Sequence, residues 1–204
     1  MRTNLLTLGL VTFLTVAAQA SQEQLAFSLK EARTEALRTS EGLQATLASI
    51  TALTKQKEGD LRPAFNAFTA EIPKTQSAAA WTRTRLQWMR SDALGYFSNW
   101  QKTVDGIGNA SVKKQAQKRL DTAKKGLGKV ESALKVAGEK FTPFLSDLED
   151  MQKALSADLT AGGVKAIKGL VSDANWRYQE VNSAIKRAVK EMEKIEKELA
   201  PEAK

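Results

Sequence analysis

The 204-residue chain contains no histidine and no cysteine. That removes the imidazole and thiolate groups on which the usual zinc, haem, thiol and Ser-His-Asp sites depend. It also leaves no disulfide to staple the fold, even in an oxidising compartment. Only four prolines are present and aromatic residues make up 6% of the chain, so helix breakers are sparse and aliphatic side chains must supply most of the core. After the N-terminal leader, no segment is apolar over the roughly 20 residues needed to cross a bilayer. Phosphate loops are missing too. Gly126 and Gly128 fall in a heptad run, without the preceding strand or the Lys-Ser/Thr ending such a loop needs. Their expected role is close helix approach. No cofactor and no metal are expected, and the composition points away from an enzyme.

What is present begins with a leader. Arg2 gives a short positive region, Leu5 to Val16 an apolar stretch, and Ala18-Gln19-Ala20 a small-x-small cleavage site. Residues 1–20 therefore read as a secretory signal peptide. Cleavage after Ala20 would leave Ser21 first in a periplasmic or secreted protein with no transmembrane segment. Among charged residues only Arg2 is lost, which lowers the net charge of +8 by one. The remaining 21–204 suffice for a single domain with its own core.

Four heptad-bearing stretches follow, parted by glycine-containing breaks. The first, about 22–57, carries Leu25, Leu29, Ala32, Ala36, Thr39, Leu43, Thr46, Ile50 and Leu53, with Leu37 and Leu47 widening the stripe. Gly59 and Asp60 supply adjacent stop and start signals. The second, 61–105, runs from Leu61 through Phe68, Thr75, Thr82 and Met89 to Val104, with a kink expected near Pro73. Ser111 is the expected N-cap of the third, 112–159, whose seam runs from Ala116 through Leu127, Leu134 and Phe144 to Leu155, with a kink near Pro143. The fourth, 164–200, shows the strictest ladder, Val164, Ile167, Val171, Ala174, Tyr178, Val181, Ile185, Ala188, Met192, Ile195 and Leu199. Short connections make neighbours antiparallel. The expected fold is all-α, an elongated up-down-up-down four-helix bundle. The alternative is a coiled coil that completes its core by self-association.

The exported leader, the Gly59-Asp60-Leu61 turn, Phe97 followed by Trp100, Asn109 before Leu120, and Pro143 followed by Leu145, Asp150, Leu155 and Leu159 together carry a resemblance. The chain resembles the bacterial exported coiled-coil family catalogued as domain of unknown function twenty-nine fifty-nine, over nearly the whole mature sequence. The resemblance implies an exported, helical, coiled-coil-forming protein and brings no activity, ligand or catalytic residue. Many members resemble lipoproteins, and this cysteine-free chain departs from them.

Two surfaces carry the candidate binding residues. Lys113, Lys114, Lys118, Arg119, Lys124, Lys125 and Lys129 make the first half of the third helix strongly positive, suited to membrane headgroups or lipopolysaccharide phosphates. Export makes chromosomal nucleic acid the poorest partner for it. Trp81, Arg83, Arg85, Trp88 and Arg90 form an aromatic-basic group on the second helix. Its tryptophans, seven residues apart, either contact a partner or cover the edge of the core. Trp100 and Trp176 read as core or near-core residues, and Asp147, Glu149 and Asp150 as a solvated acidic turn. The functional expectation is an interaction or scaffolding module of the cell envelope acting on an envelope protein. The alternative is a binder of anionic surfaces.

Overall fold

Good helix formers dominate the sequence, and nearly all of it is helical. The computed structural model describes residues 6–56 and 59–199, with side chains from residue 19 onward; Arg2, Lys57 and Ala200 lie outside the described residues. The elements are α1 (Leu6–Lys55), α2 (Arg62–Asp105), α3 (Ala110–Ala157), α4 (Ala161–Ala166) and α5 (Lys168–Leu199), and no strand occurs among the described residues. α1 begins well before the first seam and passes unbroken through Ala20. At about 1.5 Å per residue, α3 alone spans about 70 Å.

Cross-helix bonds fix the topology. Thr39 meets Thr82 and Thr46 meets Thr75, so α1 and α2 run antiparallel. Gln76 with Glu149 and Arg90 with Glu131 set the same relation between α2 and α3. Lys129 with Glu191 and Arg177 with Asp147 set it for α3 and α5, and Ser40 with Asn182 and Arg33 with Glu193 for α5 and α1. Four segments thus close into an up-down-up-down ring within one chain. α1 packs broadly on α2, and α3 on α5, whereas α2 and α3 meet along a much thinner contact.

Every member of the first seam is buried, and so is the fourth ladder except half-buried Val171. Leu47 joins them, but Leu37 lies exposed on the outer side. The core falls into two clusters. One includes Leu43, Ile50, Phe68, Phe144, Leu148 and Val181; the other includes Leu29, Met89, Leu120, Val130, Met192 and Ile195. Fully burying each such side chain contributes about 1.5–3 kcal/mol. Within the first cluster lies a polar level where Ser40 donates to Asn182 Oδ1 at 2.7 Å and Asn182 Nδ2 donates to the Tyr178 hydroxyl at 3.3 Å.

The breaks differ in detail from the expectations. α2 and α3 both continue through Pro73 and Pro143, so neither proline ends an element. Gly59 does turn the chain, at φ 91°, and Asp60 Oδ1 accepts from the Arg62 amide at 3.0 Å. The N-cap of α3 is Asn109 rather than Ser111. Its side chain accepts from the amides of Ser111 and Val112, the orphan donors such a cap exists to satisfy. The fourth segment is divided as α4 and α5 at Ile167. Thr160 caps α4 by accepting from the Gly163 amide, and a Cβ at Gly163 would collide with the Asp158 carbonyl oxygen. The tight entry turn therefore demands glycine there.

Candidate functional site

The five residues of the aromatic-basic group do not share a face. Residues two apart on a helix lie on opposite flanks, so Trp81 and Trp88 cannot sit with Arg83 and Arg90. Arg90 turns to α3, where its Nε lies 3.1 Å from Glu131, and Arg83 lines the groove between α2 and α3. Trp88 instead faces α1 and shares a small depression with Phe27, Glu31 and Arg85. The Arg85 guanidinium stacks 4.7 Å from the Trp88 ring centroid and reaches Glu31 on α1 at 3.3 Å. That arrangement holds the indole in place without covering it.

Trp81 is 56% exposed and Trp88 50%, so each leaves about half of its side chain open to a partner. Phe27, which sequence periodicity left outside every seam, is exposed beside Trp88. Trp176 is 60% exposed, which corrects the expectation of a core residue. It stands outside its helix's ladder, on the far side from Ala174 and Tyr178, with Lys140 5.7 Å above its ring. Trp100 is half-buried and packs 5.6 Å from Tyr96. Burial pushes the Tyr96 hydroxyl above the usual phenol range, opposed by the positive charge of Arg119.

The basic stripe is divided as well. Lys113 donates to the Asp105 carbonyl at 3.0 Å and Lys124 to Gln101 Oε1 at 3.2 Å, both toward α2. Lys129 turns the other way, to Glu191 of α5 at 3.7 Å. Lys114, Lys118 and Lys125 remain together on the outward face, around a shallow depression that also holds Asp121. The anionic surface such a helix face could contact is thus narrower than the seven bases between Lys113 and Lys129 suggest.

The acidic trio does not converge. Asp147 accepts from Arg177 at 2.7 Å, Glu149 from Gln76 at 3.1 Å, and Asp150 pairs with Lys153 at 3.2 Å. Among the described residues no three carboxylates gather where they could hold a metal ion. Nor is any helix among them long and apolar enough to cross a membrane.

Sequence reasoning missed the groove between α2 and α3. Its signal was the pair of small-residue runs Ala78-Ala79-Ala80 and Ala137-Gly138, which the antiparallel register sets near one another.

Comparison with known proteins supplies a family and no activity. No curated protein matches the chain. The family described as Protein of unknown function (DUF2959) matches residues 17–199, from within α1 to the last turn of α5, and the chain belongs to that family.

Proposed function

We propose that the protein is an exported, non-enzymatic interaction module of the bacterial cell envelope that works through the aromatic flank of Phe27, Trp81 and Trp88. One observation carries this reading: Phe27, Trp81 and Trp88 are each at least half exposed, with Phe27 and Trp88 lining one depression between α1 and α2 and Trp81 two turns from Trp88 along α2. Aromatic side chains are the usual anchors of protein interfaces, and clustered exposed apolar area marks contact sites. Arg85, fixed between Glu31 and the Trp88 ring, adds an ordered cationic group. The leader motif supports export. The separate engagement of Asp147, Glu149 and Asp150 supports a role without catalysis.

The test is fractionation of cells producing the protein, followed by mass measurement and recovery of bound envelope proteins. The mature chain should begin at Ser21 in the periplasmic or secreted fraction. Trp81→Ser with Trp88→Ser should abolish partner recovery while leaving helicity intact. Retention of the leader in the cytosol, or unchanged recovery by the double variant, would contradict the reading.

A second reading rests on Lys114, Lys118 and Lys125, which face solvent together. It makes the protein a binder of anionic membrane or lipopolysaccharide surfaces. Binding to anionic vesicles at low salt that weakens steeply toward physiological salt is its signature, and no binding at low salt would eliminate it.

A further inference from the structure

The thin contact between α2 and α3 leaves a groove of about 340 Å³ at mid-bundle. Its floor is Met89, Val130 and Ile185, all buried in the core, and its walls are the half-buried Leu86, Leu134 and Phe141. It sits where the two hydrophobic clusters meet, with Met89 and Val130 contributed by one and Ala137, Val181 and Ile185 by the other. The cause is local sequence. Ala79 on one helix and Ala137 and Gly138 on the other present side chains too small to bridge the gap, and a Cβ built at Gly138 meets nothing within 4 Å. Pro73 and Pro143 lie six residues before Ala79 and five after Gly138. Each removes a helical hydrogen bond near the same end of the groove.

The lips are charged with one sign in excess. Arg83, Arg90 and Lys135 line the groove against a single carboxylate, Glu131. Arg90 is engaged with Glu131 at 3.1 Å, and Lys135 is only loosely paired, 3.9 Å from the exposed Glu139. The register set by the Arg90–Glu131 pair brings Arg83 and Lys135 to opposite lips. Size then decides among occupants. The groove's volume lies at the lower end of the range of about 300–1,000 Å³ that houses single small molecules.

We propose that this groove binds a single-chain anionic amphiphile, with the alkyl chain laid between Leu86, Leu134 and Phe141 and the acidic head held by Arg83 and Lys135. The apolar floor removes the chain from water, and the surplus positive charge at the lips selects the acid over a neutral head. This inference is independent of the aromatic flank, which lies on the α1 side of α2.

Titration calorimetry with sodium dodecanoate below its micelle concentration tests it, with dodecanol as the uncharged control. Dodecanoate should bind with one saturable site, at least fivefold tighter than dodecanol. Gly138→Phe, which fills the open space, and separately Ala79→Phe should each weaken binding tenfold or more, with helicity checked by circular dichroism. Arg83→Glu with Lys135→Glu should weaken dodecanoate but spare dodecanol. Phosphatidylglycerol vesicles distinguish a free amphiphile from a bilayer surface. Absence of saturable dodecanoate binding, unchanged binding by correctly folded filled-groove variants, or affinity for vesicles alone that those variants retain would each overturn the proposal.

Discussion

The hydroxyls of Thr39 and Thr82 lie 2.9 Å apart inside the bundle, hydrogen-bonded to each other across α1 and α2. Each satisfies the other, so the pair matters more than either member. Thr39→Val or Thr82→Val alone should cost about 1 kcal/mol, because the remaining hydroxyl is left buried without its partner. The double valine variant should recover most of that loss. Denaturant unfolding of the four proteins reads the coupling directly, and additive losses would show that the hydroxyls act independently.

Two glycines of α3 separate close approach from mere presence. A Cβ at Gly126 would come 3.2 Å from Ile195 Cγ1, whereas one at Gly128 would meet nothing within 4 Å. Gly128→Ala should stabilise the protein by up to about 1 kcal/mol through helix propensity. Gly126→Ala should gain clearly less, or lose, since Ile195 must shift. Thermal unfolding of both variants checks the order.

Aromatic truncations should divide by place rather than by residue type. Phe144→Ala, which empties a fully buried position, should cost about 3–5 kcal/mol. Trp81→Ala, Trp88→Ala and Trp176→Ala remove side chains at least half exposed and should each cost under about 1 kcal/mol. A large loss at Trp81 or Trp88 would return those residues to the core.

That contrast also shows what was legible in the sequence. The three-four spacing of the first and fourth seams picked out positions that are buried in all but Val171, because burial along a helix repeats with its turn, while Ser28, Asn182, Ala184 and Val189 are buried outside those seams. The same spacing could not assign Trp81 or Trp88, which stand beside a seam, where a large ring either folds over the core or points outward, whereas Trp176 lies across its helix from the ladder. The basic stripe was legible as composition but not as a surface, since Lys113, Lys124 and Lys129 reach neighbours that only the tertiary arrangement supplies. Asn109 outcompeted Ser111 as a cap through the exact position of the first helical turn, a detail finer than pattern reading resolves. The groove depends on two small-residue runs distant in sequence, whose meeting follows from the helix register.

Glu196 gives a pH dependence of definite sign. Half-buried on α5, it has one carboxylate oxygen without a hydrogen-bond partner. Burial raises its pKa, with Arg33 at 3.5 Å and Lys30 opposing and Glu193 reinforcing the shift. A carboxyl raised in the folded state binds its proton more tightly there than when unfolded. Its favourable contribution is therefore present below the unfolded value near 4.3 and is lost as pH rises through the folded value. Glu196→Gln should raise Tm at pH 7, and the difference from the parent should close as pH falls toward 4. A lower Tm at pH 7 would show that attraction to Arg33 outweighs burial.

The central functional claim is that the aromatic flank on α1 and α2 meets a partner in the envelope. Photo-crosslinking in intact cells tests it most directly, with the photoreactive residue placed at position 81, 88 or, as a control, at the exposed Lys186 of α5. The account predicts one discrete envelope adduct shared by positions 81 and 88 and absent from 186. No adduct at 81 and 88, or the same adduct from all three positions, would contradict it.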